Sequence, residues 1–519
     1  MDDFPSSWIR VEIDQILLSL TNGNTLQQGW SPQCEAVPAL ANVEWGVLKT
    51  TAIQEAAFLP EHNKRLPDTQ EPRPQIEVVA GDILMTCAGP RSRCGITCLV
   101  KKTPKKLLMS GKMYRFRANP EIANSSYLAA FLQTREAKDA IDKMKTGISD
   151  SGLNLTHDRF KRLLVPVAPP LEQHRIIAKI EELFSELDKG IESLKTAQAQ
   201  LKVYRQALLK HAFEGKLTAQ WRADNPDKLK TAEALLERIQ RERLERYQRE
   251  VAEWTNAGKS GSKPKAPKPL EPLTGEELAE LPELPEGWAY SRLGMLIDEP
   301  SYGTSKKCDY ETDGIGVLRI PNVVSGKIDA SDLKFAEFDD DEIASYRLAD
   351  GDLLIIRSNG SVSIVGRCAL VSSKDVNYLY AGYLIRLRPN QRIVKPAYLL
   401  SAFATHEVRK QVEKKAKSTS GVNNINTGEI QAIIVAVCST EEQQQIQTAL
   451  DAKLSEIDKL EQTLTTSLQQ AEALRQSILK KAFSGQLVPQ DPADAPASEL
   501  LARIKAEQAA TPKNKKARK

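Results

Sequence analysis

The sequence predicts a mixed α/β (α+β) protein in which two globular domains alternate with two long helices that pair as an antiparallel coiled coil, with a pseudo-twofold internal repeat. Three observations lead to this fold class. Segments 172–220 and 442–490 match each other without a gap at a constant offset of 270 residues (442 minus 172). Both segments carry apolar residues at every seventh position. The regions before them contain short β-branched runs broken by Gly, Pro and Asn, which indicates strands and turns.

The two long helices are predicted from their heptad spacing. The repeating apolar positions are Ile180, Leu187, Leu194, Leu201 and Leu208 in the first and Leu450, Ile457, Leu464, Ala471 and Ile478 in the second. Further apolar residues are expected to complete the seam, namely Phe184, Tyr204, Leu454, Leu468 and Leu474. No proline interrupts either run before Gly215 or Gly485, which are placed as C-terminal stops. Runs of some 40 residues predict rods of about 60 Å.

Weaker matches extend the repeat in both directions, the upstream one at the same offset and the downstream one at an offset of 265 residues (500 minus 235). Gly81 to Leu84 corresponds to Gly351 to Leu354, and Leu235 to Ile239 resembles Leu500 to Ile504. Strands are expected in runs such as Ile76 to Val79, Asp82 to Met85 and Asp352 to Ile356. The chain is therefore divided into globular domains at 1–165 and 283–436, long-helix segments at 166–220 and 437–490, a charged helix with a Lys-, Pro- and Gly-rich linker at 221–282, and a short helix with a basic tail at 491–519.

Composition indicates a cytoplasmic protein without a membrane segment. The net charge is +4, hydrophobic residues make up 41% of the chain, and no run of 18 apolar residues occurs. The first residues lack the apolar core of a secretory signal. Seven cysteines, an odd number, do not suggest a disulfide framework. Cys87, Cys94 and Cys98 are expected to be buried small residues rather than zinc ligands, because their spacing is not CxxC.

Several catalytic signatures are absent from the sequence. There is no GxxxxGK[ST] phosphate loop, no GxGxxG after a strand, no HExxH, and no Asn/Asp-Pro-Pro-aromatic tetrapeptide of the kind that positions an amino group for methyl transfer. We therefore expect a non-catalytic chain with no cofactor of its own.

Two acid-poor basic segments occupy equivalent places in the two domains. Residues 83–120 contain no acidic residue, and residues 353–406 contain one, Asp375. Such segments suit a polyanion, because Lys and Arg release counterions from phosphates. A solvated basic face without a ligand is the alternative. The candidate DNA-binding residues are Arg91, Arg93, Lys101, Lys102, Lys105, Lys106, Lys112, Arg357, Ser358, Asn359, Arg367 and Lys374.

Two pairs of loops are further candidates for DNA contact. Loops 86–93 and 357–363 each follow a strand and mix small residues with Arg or Asn, which can read purine edges. Loops 146–156 and 418–427 lie just before the segments that lead into the long helices. All four could equally be structural turns or connectors.

The order and duplication of these motifs resemble the specificity subunits of type I restriction–modification systems. The motifs in the first copy are Phe4-Pro5-Ser6-Ser7-Trp8, Gly81 to Leu84, Pro169 to Gln173 and Ala212 to Leu217. Those in the second are Leu284-Pro285-Glu286-Gly287-Trp288, Gly351 to Leu354, Glu441 to Gln443 and Ala482 to Leu487. The second copy departs by having Cys438-Ser439-Thr440 where the first has Pro-Pro.

The resemblance implies two target-recognition domains that each read one half of a split site in double-stranded DNA, with the paired helices as a spacer. It also implies catalysis by partner chains. Two modification subunits would bind S-adenosylmethionine and methylate adenine, and two motor-nuclease restriction subunits would use ATP and Mg²⁺. Two alternatives stay open from the residues alone: a coiled-coil scaffold whose globular heads bind proteins, and a stand-alone nuclease. The role of residues 221–282 is also open.

Overall fold

The computed structural model describes residues 4–20, 23–259, 263–264, 266–267, 269–324, 326–419 and 421–510. The chain forms two compact units, one made of residues 1–195 and 465–519 and the other of residues 196–464. Each unit therefore contains one globular domain and parts of both long helices. The basic tail predicted at 512–519 lies outside the described residues, as do some positions of the linker.

The two long helices are Pro170–Phe213 and Thr440–Phe483, each of 44 residues. The other helices are Ser125–Phe131, Arg135–Met144, His157–Phe160, Ala219–Asp224, Ala232–Asn256, Gly275–Ala279, Asp340–Tyr346, Pro396–Phe403, His406–Lys415, Thr427–Gln431 and Ala497–Ala510. As predicted, each long helix is followed by a left-handed glycine, Gly215 at φ 69° and Gly485 at φ 73°. Among the described residues, no helix combines the length and apolarity needed to cross a membrane.

The globular domain of the first unit is built around an antiparallel four-stranded sheet. Its strand order is Gln27–Gln28, Met113–Phe116, Ile83–Thr86 and Thr97–Leu99. A three-stranded sheet is formed by Leu107–Leu108, Gly46–Leu48 and Asn63–Arg65. The remaining strands pair in twos: Ile9–Glu12 with Leu164–Val167, Ile53–Gln54 with Ala57–Phe58, and Ala88–Gly89 with Leu153–Asn154.

The prediction of a strand at Ile76 to Val79 is wrong. Pro74–Ile76 forms a 3₁₀ turn instead, and Glu77 makes an isolated bridge with Leu108. The proline fixes the backbone of the turn. The N–H of Val79 donates to Oδ2 of Asp82 at 2.9 Å rather than to a neighbouring strand.

The globular domain of the second unit repeats this framework with a larger sheet. Its strand order is Ser301–Tyr302, Leu384–Leu387, Leu353–Ile356, Cys368–Leu370, Gly326–Ile328 and Val323–Val324. Two three-stranded sheets accompany it: Lys334–Ala336 with Ile315–Leu318 and Leu379–Tyr380, and Ser358–Asn359 with Val422–Asn424 and Lys417–Thr419. Ala289–Arg292 pairs with Ile434–Val437 and joins the two ends of the domain, as Ile9–Glu12 and Leu164–Val167 do in the first unit.

Antiparallel packing of the two long helices is confirmed within each unit. In the first unit Ile180 is buried in one core with Ile478 and Phe483. In the second unit Leu208 is buried in one core with Leu450 and Ile457. The cores contain apolar residues from the helices and from the adjoining domain, so each domain is continuous with its part of the helix pair.

The prediction that Tyr204 and Leu474 complete the seam is wrong. These residues occupy equivalent positions and are 50% and 51% exposed. The following residues, Arg205 and Arg475, are half-buried and reach across to the other long helix. Arg205 pairs with Asp458 and Glu461, and Arg475 pairs with Asp188 while its Cζ lies 4.5 Å from the ring centroid of Phe184. The long arginine side chains therefore take the inward-facing positions next to Tyr204 and Leu474.

Candidate nucleic-acid interface

A buried glutamine fixes each globular domain to the first turn of its long helix. Nε2 of Gln173 donates to the carbonyls of Ile122 and Ala168 at 3.0 and 2.8 Å, and its Oε1 accepts from the N–H of Asn124 at 2.9 Å. Gln443 makes the same three hydrogen bonds, to Ile393, Cys438 and Lys395, at 3.0, 2.9 and 2.8 Å. The sequence motif around each glutamine thus encodes one repeated domain–helix joint.

The Pro-x-x-Trp motif at the start of each domain packs at the end of a long helix. In the first unit, a Cβ on Gly485 would collide with Pro5, and in the second unit a Cβ on Gly215 would lie 2.5 Å from Cγ of Pro285. Trp8 Nε1 donates to Oε2 of Glu172 at 3.0 Å. The start of each domain therefore lies against the end of the helix that follows the other domain, and Trp8 is bonded in addition to the first long helix, which follows its own domain.

The Gly-Asp motif forms a buried ion pair, and it accounts for part of the basic segments. Asp82 is fully buried and accepts from Arg117 Nε at 2.6 Å and from Arg115 Nη1 at 3.3 Å. Asp352 accepts from both Nε and Nη2 of Arg388 at 2.7 Å, and this hydrogen bonding raises the pKa of Arg388. These arginines stabilise the sheet, so fewer cations of each segment are available to DNA than the sequence count implies.

The main sheet of each domain has two different ends. One end, which we call the hairpin end, lies where strands Ile83–Thr86 and Leu353–Ile356 finish. The loops at the hairpin end are 86–95, 109–113 and 146–154 in the first unit and 357–367, 381–383 and 421–427 in the second. Because the neighbouring strands are antiparallel, residues that follow Leu99 and Leu370 lie at the opposite end. Sheet topology thus separates the predicted DNA-binding residues into two groups.

Arg91, Arg93 and Lys112 lie at the hairpin end of the first domain. Arg91 pairs with Asp142 at 2.7 Å and Asp150 at 3.1 Å. Arg93 Nη2 donates to the carbonyls of Thr50 and Ile53 at 2.6 and 2.7 Å, and this ties the loop to the neighbouring 50–54 turn. Lys112 is exposed. Arg93 therefore has a structural role, while Lys112 stays a candidate for DNA contact.

The other four candidate lysines of the first domain, Lys101, Lys102, Lys105 and Lys106, lie at the opposite end of the sheet. Lys101 Nζ lies 3.2 Å from Oε1 of Glu181 on the first long helix, and Lys106 Nζ donates to the carbonyl of Val43 at 2.7 Å. Lys102 and Lys105 are exposed. These residues are therefore not part of the surface formed by loop 86–93.

In the second domain, Arg357, Ser358, Asn359 and Arg367 lie at the hairpin end, and Lys374 lies at the opposite end. Ser358 pairs with Asn424 in a short ladder, and Asn359 Oδ1 accepts from the N–H of Ser361 at 2.9 Å. Arg367 Nε donates to the carbonyl of Ser363 at 3.0 Å, while Lys374 is exposed. Four of the five candidates are thus brought together.

Three polar or aromatic groups at this end were missed as individual residues. Asn424 Oδ1 accepts from Arg357 Nε at 3.3 Å, and Cζ of Arg357 lies 4.6 Å from the ring centroid of Tyr302. Tyr383, whose carbonyl accepts from the N–H of Arg357 at 3.0 Å, is 62% exposed. Tyr302 and Tyr383 each adjoin a glycine in a short turn, a signal that could have marked them.

Residues 221–282 include a helix that packs on the second domain. Leu235 and Ile239 of helix Ala232–Asn256 are buried in the same core as Trp288. Farther along this helix, Arg246 pairs with Asp298. In the first unit, the shorter helix Ala497–Ala510 buries Leu501 and Ile504 in the same way. The charged helix is therefore an extended copy of the C-terminal one.

The three clustered cysteines are buried, as expected, but they lie in two different cores. Cys87 and Cys94 lie in the core that faces the long helices, whereas Cys98 lies in the core beneath the three-stranded sheet. Burial raises the pKa of Cys98 to about 12 and that of Cys87 to about 11.

Comparison with known proteins agrees with this architecture. Residues 285–470 match the family described as the type I restriction modification DNA specificity domain. The chain is 34% identical over 196 residues to the type I restriction enzyme EcoEI specificity subunit of Escherichia coli, covering 38% of this chain and 32% of that protein. It is 27% identical over 404 residues to the EcoKI specificity subunit of Escherichia coli strain K12, covering 76% of this chain and 74% of that subunit.

The fold is also similar to that of a solved structure. A chain from a study of complex assembly and conformational transition of the type I R-M system superimposes with a TM-score of 0.60 at 16% identity, covering 93% of this chain and 99% of that one. This likeness confirms the predicted fold class. Residues 285–470 therefore belong to the type I restriction modification DNA specificity domain family, and the chain as a whole is similar to specificity subunits of type I restriction–modification systems.

Proposed function

We propose that this chain recognises DNA for a type I restriction–modification complex, with each globular domain reading one half of a bipartite site. One observation carries the proposal. The two domains repeat the same buried anchors, at Gln173 and Gln443, yet the first residues after their equivalent strands differ. The first domain has Ala88-Gly89 and the second has Ser358-Asn359 in the corresponding ladders. Two domains that share one framework but differ in the residues at their hairpin ends would recognise two different half-sites, which together form an asymmetric DNA sequence.

Catalysis would be carried out by partner subunits. Two modification subunits would bind S-adenosylmethionine and methylate an adenine, and two restriction subunits would use ATP and Mg²⁺ to move and cut DNA. The repeated joints support two equivalent docking positions, because a pseudo-symmetric chain presents the same framework twice. The target adenine must leave the base stack for methylation, so the bound DNA would be distorted. The complex would act in the cytoplasm.

The long helices would set the length of the unread gap between the half-sites. Each has 44 residues, or about 65 Å at 1.5 Å per residue. The helix pair would act as a rigid spacer between the half-sites. Phosphate contacts from exposed lysines such as Lys112 would supply affinity without sequence preference.

Footprinting of the chain assembled with its modification subunits tests the proposal. We expect two protected segments separated by an unread gap of constant length. The affinity for duplex DNA should fall steeply with salt as counterions are released. One continuous protected site would contradict the two-reader arrangement. Binding without salt dependence would favour a protein scaffold, and DNA cleavage by the purified chain with Mg²⁺ alone would favour a nuclease.

A further inference from the structure

Arg357 differs from the other arginines at the hairpin ends in how its side chain is held. It follows directly after strand Leu353–Ile356, and its guanidinium lies over Tyr302, with 4.6 Å from Cζ to the ring centroid. Its Nε donates to Oδ1 of Asn424 at 3.3 Å. Tyr302 is fixed in turn, because its hydroxyl accepts from the N–H of Thr427 at 3.2 Å. The guanidinium plane is therefore oriented before any ligand binds.

The charge of Arg357 is balanced differently from that of Arg91 in the first domain. Arg91 is neutralised by Asp142 and Asp150. Among the described residues, no carboxylate lies within ion-pair distance of Arg357, and its remaining contact is a long one of 3.5 Å from Nη1 to the carbonyl of Gly382. The ring of Tyr302 and the amide of Asn424 thus hold the guanidinium of Arg357, whose Nη1 and Nη2 atoms keep N–H donors for a ligand.

A planar, oriented guanidinium with free donors matches one base edge in particular. Guanine presents two acceptors, O6 and N7, in the major groove, and arginine binds them with two parallel hydrogen bonds. Prior orientation by a ring reduces the side-chain entropy lost on binding. We propose that Arg357, held by Tyr302 and Asn424, reads a guanine in the half-site of the second domain, an inference that rests on the proposed function. Tyr302 and Asn424 are positioning residues for this contact.

The described part of the first domain, residues 4–20 and 23–165, lacks this arrangement of an arginine held by a tyrosine and an asparagine. The Ala88–Asn154 pair corresponds to the Ser358–Asn424 pair, so Cys87 stands at the place of Arg357. Cys87 is buried, and Gln28 lies in the strand that corresponds to that of Tyr302. A guanine at this position is therefore expected in one half-site only.

The test compares Arg357→Lys and Arg357→Ala in the complex with modification subunits, by mapping methylated adenines on a DNA library. Lysine keeps the positive charge but lacks the two parallel N–H donors of the guanidinium. We expect Arg357→Lys to relax the second half-site at one G·C pair, with discrimination reduced roughly 10- to 100-fold, while the first half-site is unchanged. Tyr302→Leu should cause a smaller relaxation at the same pair. Lys453→Ala, which removes an exposed cation of the second long helix that is not among the candidate DNA-binding residues, is the control and should leave the recognised sequence unchanged.

Two results would overturn the inference. In one, the Arg357→Lys complex would assemble normally and either methylate the wild-type sequence with undiminished stringency or methylate no site at all. In the other, Arg357→Ala would weaken binding equally on all sequences and lower the salt slope by about one, which marks a phosphate contact. Failure of the proposed function itself would look different, because the wild-type complex would then yield no two-part site.

Discussion

Replacement of Gln173 by Met removes one amide from the first domain–helix joint and preserves a side chain of similar length. Three hydrogen bonds disappear: two that Nε2 donates, to Ile122 and Ala168 at 3.0 and 2.8 Å, and one that Oε1 accepts, from Asn124 at 2.9 Å. Gln173 is 1% exposed, so water does not replace the amide. Two carbonyls and one N–H therefore lose their partner in a buried site.

The expected cost follows from these three bonds. A typical hydrogen bond contributes about 1 kcal/mol net, and leaving a buried partner unsatisfied costs at least as much. We therefore expect the free energy of opening the joint to fall by about 3 kcal/mol. Since each 1.4 kcal/mol is a factor of ten, amide exchange controlled by this opening should become roughly 150-fold faster.

Hydrogen exchange measured by mass spectrometry checks this expectation in the intact chain. Gln173→Met should accelerate exchange in residues 119–131 and 163–177, and Gln443→Met should do the same in residues 390–402 and 434–447. Gln200→Met, an exposed change on the same long helix as Gln173, is the control and should change little. An acceleration below about tenfold, or one spread equally over both units, would refute the reasoning.

Three other changes have defined outcomes. Gly215→Ala places a Cβ on a residue at φ 69° and within 2.5 Å of a facing proline, so the free energy of unfolding in denaturant should fall by at least about 1 kcal/mol. Gly190→Ala lies in open space within the helix and should raise the free energy of unfolding by roughly 0.5–1 kcal/mol. Burial raises the pKa of Asp298 to about 6 from 3.8, so the folded protein holds this proton more tightly than the unfolded chain. The stability that protonated Asp298 contributes is therefore full at low pH and is lost as pH rises from about 4 to 6. Asp298→Asn should remove this dependence of the unfolding free energy on pH in urea titrations across that range, and an unchanged dependence would contradict the expectation. Insertion of one heptad in each long helix, after residues 196 and 466, lengthens the helix pair by about 10 Å. Footprinting should then show a gap longer by about one to three base pairs between unchanged half-sites. Altered half-sites would contradict the role of the helices as a spacer.

The long helices and their stops could be predicted because heptad spacing and a terminal glycine are local signals. The outward position of Tyr204 and Leu474 could not, because it depends on Arg205 and Arg475 reaching the opposite helix. A periodic pattern shows which face is apolar, but it does not show which long polar side chain fills the contact.

The candidate site was predicted as a segment rather than as a surface. Arg357 was found because it follows a strand, but its partners Tyr302 and Asn424 lie 55 and 67 positions away in the chain (357 minus 302, and 424 minus 357). Lys101 and Lys374 were grouped with it by charge alone, and antiparallel pairing places them at the opposite end of their sheets. Net charge along the chain does not carry that information.

Mapping of methylated adenines across the genome of cells that contain this chain and its modification subunits tests the central claim most directly. The account predicts one asymmetric two-part motif with a fixed gap. It also predicts that exchanging residues 1–165 for the corresponding domain of another family member changes one part only. A continuous motif, or a change in both parts after the exchange, would contradict the assignment of one half-site to each domain.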